Sequence, residues 1–291
     1  MHRGLTSRND NVRSAFTLIE LLVVIAIVAL LVAILMPSLQ VAREKGKTAV
    51  CLANLRSIMA STQMYMENDN QRLIQWYRSP PVSVNGVTPN LLTPWVFGGT
   101  MGTGNLVSTY KADSQVYPAE MRPLNKYIAP NAVGKEQIGV YRCPGDRTFK
   151  TSIIGQANVP PESEAAASSY TENGSSYTLN TRFMQGYAFE TSGSLTFTLT
   201  TANLTNYPKK IAVSLNGGKA SRFIMWPEQG FYAATYRAAP TLTQSLASPR
   251  RLGWHREFSR WAVAKADGSA EYAYFDTRVS RSNTWTIWEP K

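Results

Sequence analysis

Between Glu20 and Arg43 the chain carries no charged side chain, and from Leu21 to Met36 every residue is apolar, up to Pro37. Counted from Phe16, about 21 residues at a rise of about 1.5 Å span about 30 Å, the thickness of a bilayer's hydrocarbon core. The segment is therefore read as a membrane-crossing helix. Arg3, Arg8 and Arg13 precede it and no basic residue follows until Arg43. By the positive-inside rule its beginning lies on the cytoplasmic side and the rest of the chain outside.

An ordinary secretory signal peptide does not fit. Its apolar core is shorter and is followed by a small-residue cleavage site, whereas this run continues into the helix-forming Ala42-Arg43-Glu44-Lys45. Glu20 is the other anomaly. A carboxylate at the start of an apolar run is costly in lipid unless a partner neutralises it, which makes it a functional candidate. The plainer alternative is a Thr17-x-x-Glu20 capping box at the membrane interface.

The string Ser14-Ala15-Phe16-Thr17-Leu18-Ile19-Glu20-Leu21-Leu22, with basic residues before it and the apolar run behind, resembles the leader of type IV prepilins and type II secretion pseudopilins. The resemblance implies that a prepilin peptidase/methyltransferase cuts between Ala15 and Phe16 and methylates the new amino group. It implies that Glu20, fifth after the cut, pairs with the amino terminus of a neighbouring pilin or pseudopilin subunit during assembly. Ala15 stands where the family usually has Gly, and Pro37 where many members carry a helix-kinking proline. The implied location is the inner membrane, single-pass, with the head periplasmic or extracellular.

Downstream, Val41, Thr48, Cys51, Leu52, Leu55, Ile58, Met59, Thr62, Tyr65 and Met66 recur at helical spacing, with Arg43, Glu44, Lys45, Lys47 and Arg56 on other faces. One helix from about Phe16 to about Glu67 follows, stopped at Asn68-Asp69-Asn70. From Leu73 the pattern changes to short apolar clusters between Gly and Pro turns. Residues 194–201, 222–226, 261–266 and 270–275 read as strands, with Asp267-Gly268 as a hairpin turn between the last two. The expected fold is α+β, an antiparallel-sheet head on the second half of the helix. The expected parts are a leader (1–15), a membrane and assembly helix (16–37), an amphipathic continuation (38–69) and a globular head (70–291).

Several strings in the head extend the resemblance to prepilin-like proteins of Planctomycetes, Lentisphaerae and related bacteria. They are Cys51-Leu52-Ala53-Asn54-Leu55-Arg56, Arg142-Cys143-Pro144-Gly145-Asp146, Ser176-Tyr177-Thr178-Leu179-Asn180, and His255 followed by Asp267-Gly268. Here residues 256–266 make the spacer after the histidine longer than is usual in that group. No catalytic residue is implied.

With two cysteines and two histidines in 291 residues, a multi-ligand Cys/His zinc site is not expected. In an exported head, Cys51 and Cys143 are a candidate disulfide, closing a loop of about 90 residues and contributing about 4 to 5 kcal/mol in chain-entropy terms. The alternative is two separately buried thiols. His255 is read as a structural histidine bonded to a strand backbone, in preference to a base paired with Asp267 or Asp276. No cofactor is expected; Asp267, Glu271 and Asp276 are weak candidates for a calcium site.

The net charge of +11 is scattered. That pattern fits a solvated surface better than a nucleic-acid groove. Trp254, Trp261, Trp285 and Trp288 lie near Arg250, Arg251, Arg256 and Arg260 and are read as core in preference to a stacking platform. The resulting expectation is a structural pilus or pseudopilus subunit and not an enzyme. The alternative is a membrane-anchored protein displaying a binding or adhesion head, with its ligand unknown.

Overall fold

The computed structural model describes residues 17–68, 96–103, 111–146, 168–181, 218–235, 253–279 and 282–287. The chain divides into two compact units, Met1–Lys45 and Gly46–Lys291. The first contains the apolar part of helix α1 (Leu18–Asn68, 51 residues). There an 18-residue window reaches a mean hydropathy of 3.3 and none of it is buried. Leu21, Leu22, Val23, Val24 and Ile25 are exposed in succession, so the apolar surface goes all the way round the helix. In water such a surface would drive aggregation, whereas in lipid it needs no cover.

Pro37 lies inside α1. Its ring nitrogen has no proton to donate, so one rung of the hydrogen-bond ladder is missing there. The helix runs on without interruption, and Ser38 Oγ donates to the carbonyl of Leu35 at 2.8 Å.

In the second unit α1 becomes one-sided. Cys51, Leu55, Ile58, Met59 and Thr62 are buried, a stripe at helical spacing, while Arg56 and Ala60 face solvent. The expected stripe is too long at its start, because Val41 is exposed. At the other end Asn68 Nδ2 donates to the Met64 carbonyl at 3.0 Å and to Tyr127 Oη at 3.0 Å. The side chain thus satisfies one of the carbonyls that a helix end leaves open.

The stripe packs on a three-stranded antiparallel sheet of β1 (Ile224–Pro227), β2 (Arg260–Lys265) and β3 (Ala270–Tyr274), in that order. The α+β class is as the sequence indicates. Strand residues alternate between faces. Ala262 and Ala264 of β2 therefore join the core around Cys51, Leu55, Ile58 and Met59. Trp261 and Val263 join a second core with Ile224, Phe231, Phe275, Trp285 and Ile287. The second core is aromatic, with Phe231 edge-on to Trp261, Phe275 and Trp285 at centroid distances of 6.2, 5.6 and 6.0 Å, an arrangement favoured by the ring quadrupoles. Phe231 comes from the short helix Gln229–Ala234 that directly follows β1.

The β2–β3 hairpin turns at Asp267-Gly268. Lys265 N–H donates to Ser269 O at 2.8 Å, and Gly268 takes φ +93°, which a side chain would strain. The expected strand at 194–201 lies outside the described residues.

Short elements wrap this frame: helices Lys111–Val116, Asn125–Ile128 and Ser169–Asn173, and single 3-10 turns at Ala119–Met121 and Gly139–Tyr141. Arg122 ties the first and third of these helices to Gly98. Its buried guanidinium donates to the carbonyls of Tyr117 (3.2 Å), Gly98 (2.9 Å), Asn173 (3.3 Å) and Ser114 (3.1 Å). Burial lowers its pKa to about 9, with Tyr141 and Tyr170 opposing the shift, so it stays protonated at neutral pH.

Candidate functional site

Two places concentrate functional side chains. One is the start of α1. Thr17 N–H and Oγ1 donate to Glu20 Oε2 at 2.8 and 2.7 Å, and Glu20 N–H donates back to Thr17 Oγ1 at 3.2 Å. This is a capping box, which satisfies helix N–H groups that have no intrahelical acceptor. Both Thr17 donors fall on the same carboxylate oxygen, and Glu20 is exposed on the apolar cylinder. Ala15 and Phe16 lie outside the described residues.

The other place is buried where α1 meets the head. Cys51 and Cys143 form a disulfide, with Cα atoms 5.2 Å apart and a sequence separation of 92. Around it the strings noted in the sequence come together. Asn54 Nδ2 donates to the Arg142 carbonyl at 3.0 Å, and Cys143 N–H donates to Ser176 Oγ at 3.0 Å. Ser176 Oγ in turn donates to Asp146 Oδ2 at 2.6 Å. Asp146 also accepts from the amides of Ser169 (3.0 Å) and Tyr170 (2.8 Å), so it fixes the start of helix Ser169–Asn173. Thr178 and Asn180 donate their amides to Pro227 and Met225, which lays the Ser176–Asn180 stretch along the free edge of β1.

Next to the disulfide sits His255, the histidine singled out in the sequence. Its partner is neither a strand backbone nor Asp267 nor Asp276. It is Glu228, whose Oε1 lies 3.1 Å from His255 Nε2 with both side chains buried. Gly145 lies against the ring, where any side chain would collide with His255 Cε1, and Tyr272 meets the ring edge-on at 5.3 Å. Burial raises the Glu228 pKa, and His255 partly offsets that. Burial likewise pushes Asp146 up to about 6 against the pull of its three hydrogen bonds, with Glu228 adding repulsion.

Glu228 was not singled out in the sequence. Its only local signal is an acid placed directly after the apolar stretch Phe223–Trp226 and Pro227. Arg122 was also missed, since nothing in the sequence around it marks burial.

The calcium candidates are not brought together. Asp267 Oδ1 accepts from Ser269 N–H and Oγ within the hairpin turn, Glu271 pairs with Lys265 at 2.7 Å, and Asp276 pairs with Arg278 at 2.7 Å. Among the described residues, the side chains that gather as potential metal ligands are Cys51, Cys143, Glu228 and His255. Trp254, Trp261 and Trp285 are buried and offer no stacking surface; Trp288 lies outside the described residues.

Comparison with known proteins bears on the first place. Residues 10–36 match the family described as the prokaryotic N-terminal methylation motif. The chain is also similar to the type IV wide pilus major component PilA4 of Thermus thermophilus, with 46% identity over 55 residues, 19% of this chain and 42% of that protein. It thus spans less than half the length of that relative. No solved structure matches. The amino-terminal segment is accordingly type IV prepilin-like, and its exposed apolar helix is consistent with membrane anchoring.

Proposed function

We propose that this prepilin-like chain is a structural subunit, stored in the inner membrane by the apolar half of α1 and assembled helix to helix into a pilus or pseudopilus. The observation that supports it best is an α1 that is apolar on every side in its first half, headed by Glu20, and buried on one side only in its second. A helix of that kind satisfies its own backbone in lipid and can exchange lipid contacts for contacts with copies of itself. Prepilin peptidase cuts between Ala15 and Phe16, the head lies outside, and the partners are other pilin subunits. The chain has no catalytic assignment.

Glu20 then has two successive partners. In the stored subunit Thr17 caps it. During assembly the charged amine at Phe16 of a neighbour approaches the exposed carboxylate, and each charge lowers the other's cost in lipid. The variant Glu20→Leu tests this role when expressed alongside the machinery that assembles the native chain. It should insert in membranes at the native level and form no filaments in the sheared extracellular fraction. Normal filaments from Glu20→Leu would remove Glu20 from the assembly step.

A further inference from the structure

We propose that Cys51, Cys143, Glu228 and His255 form a zinc site in the reduced chain, and that zinc occupancy and the disulfide are alternative states of one buried centre. All four residues are at most 3% exposed, and their ligand atoms lie within 4.8 Å of one another. Cys143 Sγ is 3.8 Å from His255 Nε2 and 3.9 Å from Glu228 Oε1, and the last two atoms are 3.1 Å apart. A tetrahedral zinc with Zn–S of about 2.3 Å and Zn–N or Zn–O of about 2.0 Å sets S and N or O about 3.5 Å apart. It sets N and O about 3.3 Å apart, and two sulfurs about 3.8 Å apart. Three of the four ligands therefore already stand within a few tenths of an ångström of the required spacing. Cys51 Sγ, within 4.8 Å of the other ligand atoms and bonded to Cys143 Sγ, must move to complete the set.

One further contact points to the same ion. Gly145 N–H donates to Cys143 Sγ at 3.4 Å, the kind of amide-to-sulfur contact that supports a ligating thiolate. Charge argues likewise. In the zinc-bound state the dication would offset two of the three negative charges of two thiolates and one carboxylate. The ligands come from α1, the stretch before Asp146, the end of β1 and the loop before β2, so the ion would tie α1 to the head as the disulfide does.

The zinc-bound state converts to the disulfide by exchange. One zinc-bound thiolate attacks a small-molecule disulfide such as oxidised glutathione and releases one thiolate. The second cysteine thiolate then attacks the mixed disulfide, closing Cys51–Cys143 and releasing the second. The cysteines lose two electrons, the glutathione disulfide gains them, and the zinc ion leaves unchanged.

The test uses the full chain in detergent, reduced under anaerobic conditions and titrated with Zn²⁺ against a chromophoric chelator. It should bind one ion per chain, at least about 100-fold more tightly than a Glu228→Gln/His255→Asn variant, and oxidised glutathione should release that ion. Cobalt substitution of the unaltered chain keeps the test informative should the variant fold poorly, since tetrahedral bands with thiolate-to-cobalt charge transfer are expected. Equal affinity in chain and variant, zinc retained after oxidation, or a cobalt spectrum without thiolate bands would overturn the proposal.

Discussion

Replacing both Cys51 and Cys143 by Ala removes the crosslink between α1 and the head. With the two residues separated by 92 positions, the chain-entropy relation gives a loss of about 16 cal/mol/K, or about 4.6 kcal/mol at 25 °C. Native domains are stable by only about 5–15 kcal/mol, so the variant should stand near the edge of folding. At about 2–3 kcal/mol per molar urea, its unfolding midpoint should fall by roughly 1.5 to 2.3 M. The assay is urea unfolding of the oxidised full chain in mild detergent, followed by fluorescence of the buried Trp226, Trp254 and Trp261. The single variant Cys51→Ala should cost nearly as much as the double, because either one removes the same loop closure. A loss below about 1 kcal/mol in the double variant, or single-variant losses that simply add up to the double, would refute the crosslink argument.

Thr62→Val keeps shape but deprives the buried Trp226 Nε1–H of its acceptor, now 2.9 Å away, and should destabilise the head by about 1–3 kcal/mol, read in the same urea titration. Asp146 has a folded-state pKa raised to about 6 from an ordinary value of 3.8, so its contribution is complete below pH 4 and declines as pH rises through 6. Between pH 4 and pH 7 the native chain should therefore lose up to about 3 kcal/mol relative to Asp146→Asn, measured by unfolding at each pH. A flat difference between the two would remove Asp146 from the pH response.

The elements visible in the sequence are those with local, periodic causes. α1 was legible because an all-apolar run and then a helical stripe leave few alternatives, and its stop at Asn68 because an Asn side chain caps the last turn. The β2–β3 hairpin was legible because Asp267-Gly268 supplies the positive φ that its turn needs. Thr17 and Glu20 could be paired from their spacing alone. What the sequence hid was long-range. Glu228 and His255 are 27 residues apart, and Cys143 lies 85 residues before Glu228, so their meeting depends on how the strand order closes. Arg122 was hidden for a related reason. Its guanidinium donates to backbone carbonyls in three separate stretches, and a carbonyl has no signature in sequence. The tryptophans show the same logic in reverse. Their nearness to arginines suggested a surface alternative, and alternation along β2 settled Trp261 as core.

Everything proposed for assembly depends on where the mature chain begins. Intact-mass and amino-terminal peptide mass spectrometry of the protein recovered from membranes of a host with prepilin peptidase measures that directly. The proposed function predicts a chain starting at Phe16 and carrying one methyl group on its amino nitrogen, with Glu20 as its fifth residue. A chain that retains Met1, or one cut far beyond Phe16 so that Glu20 is lost, would contradict it.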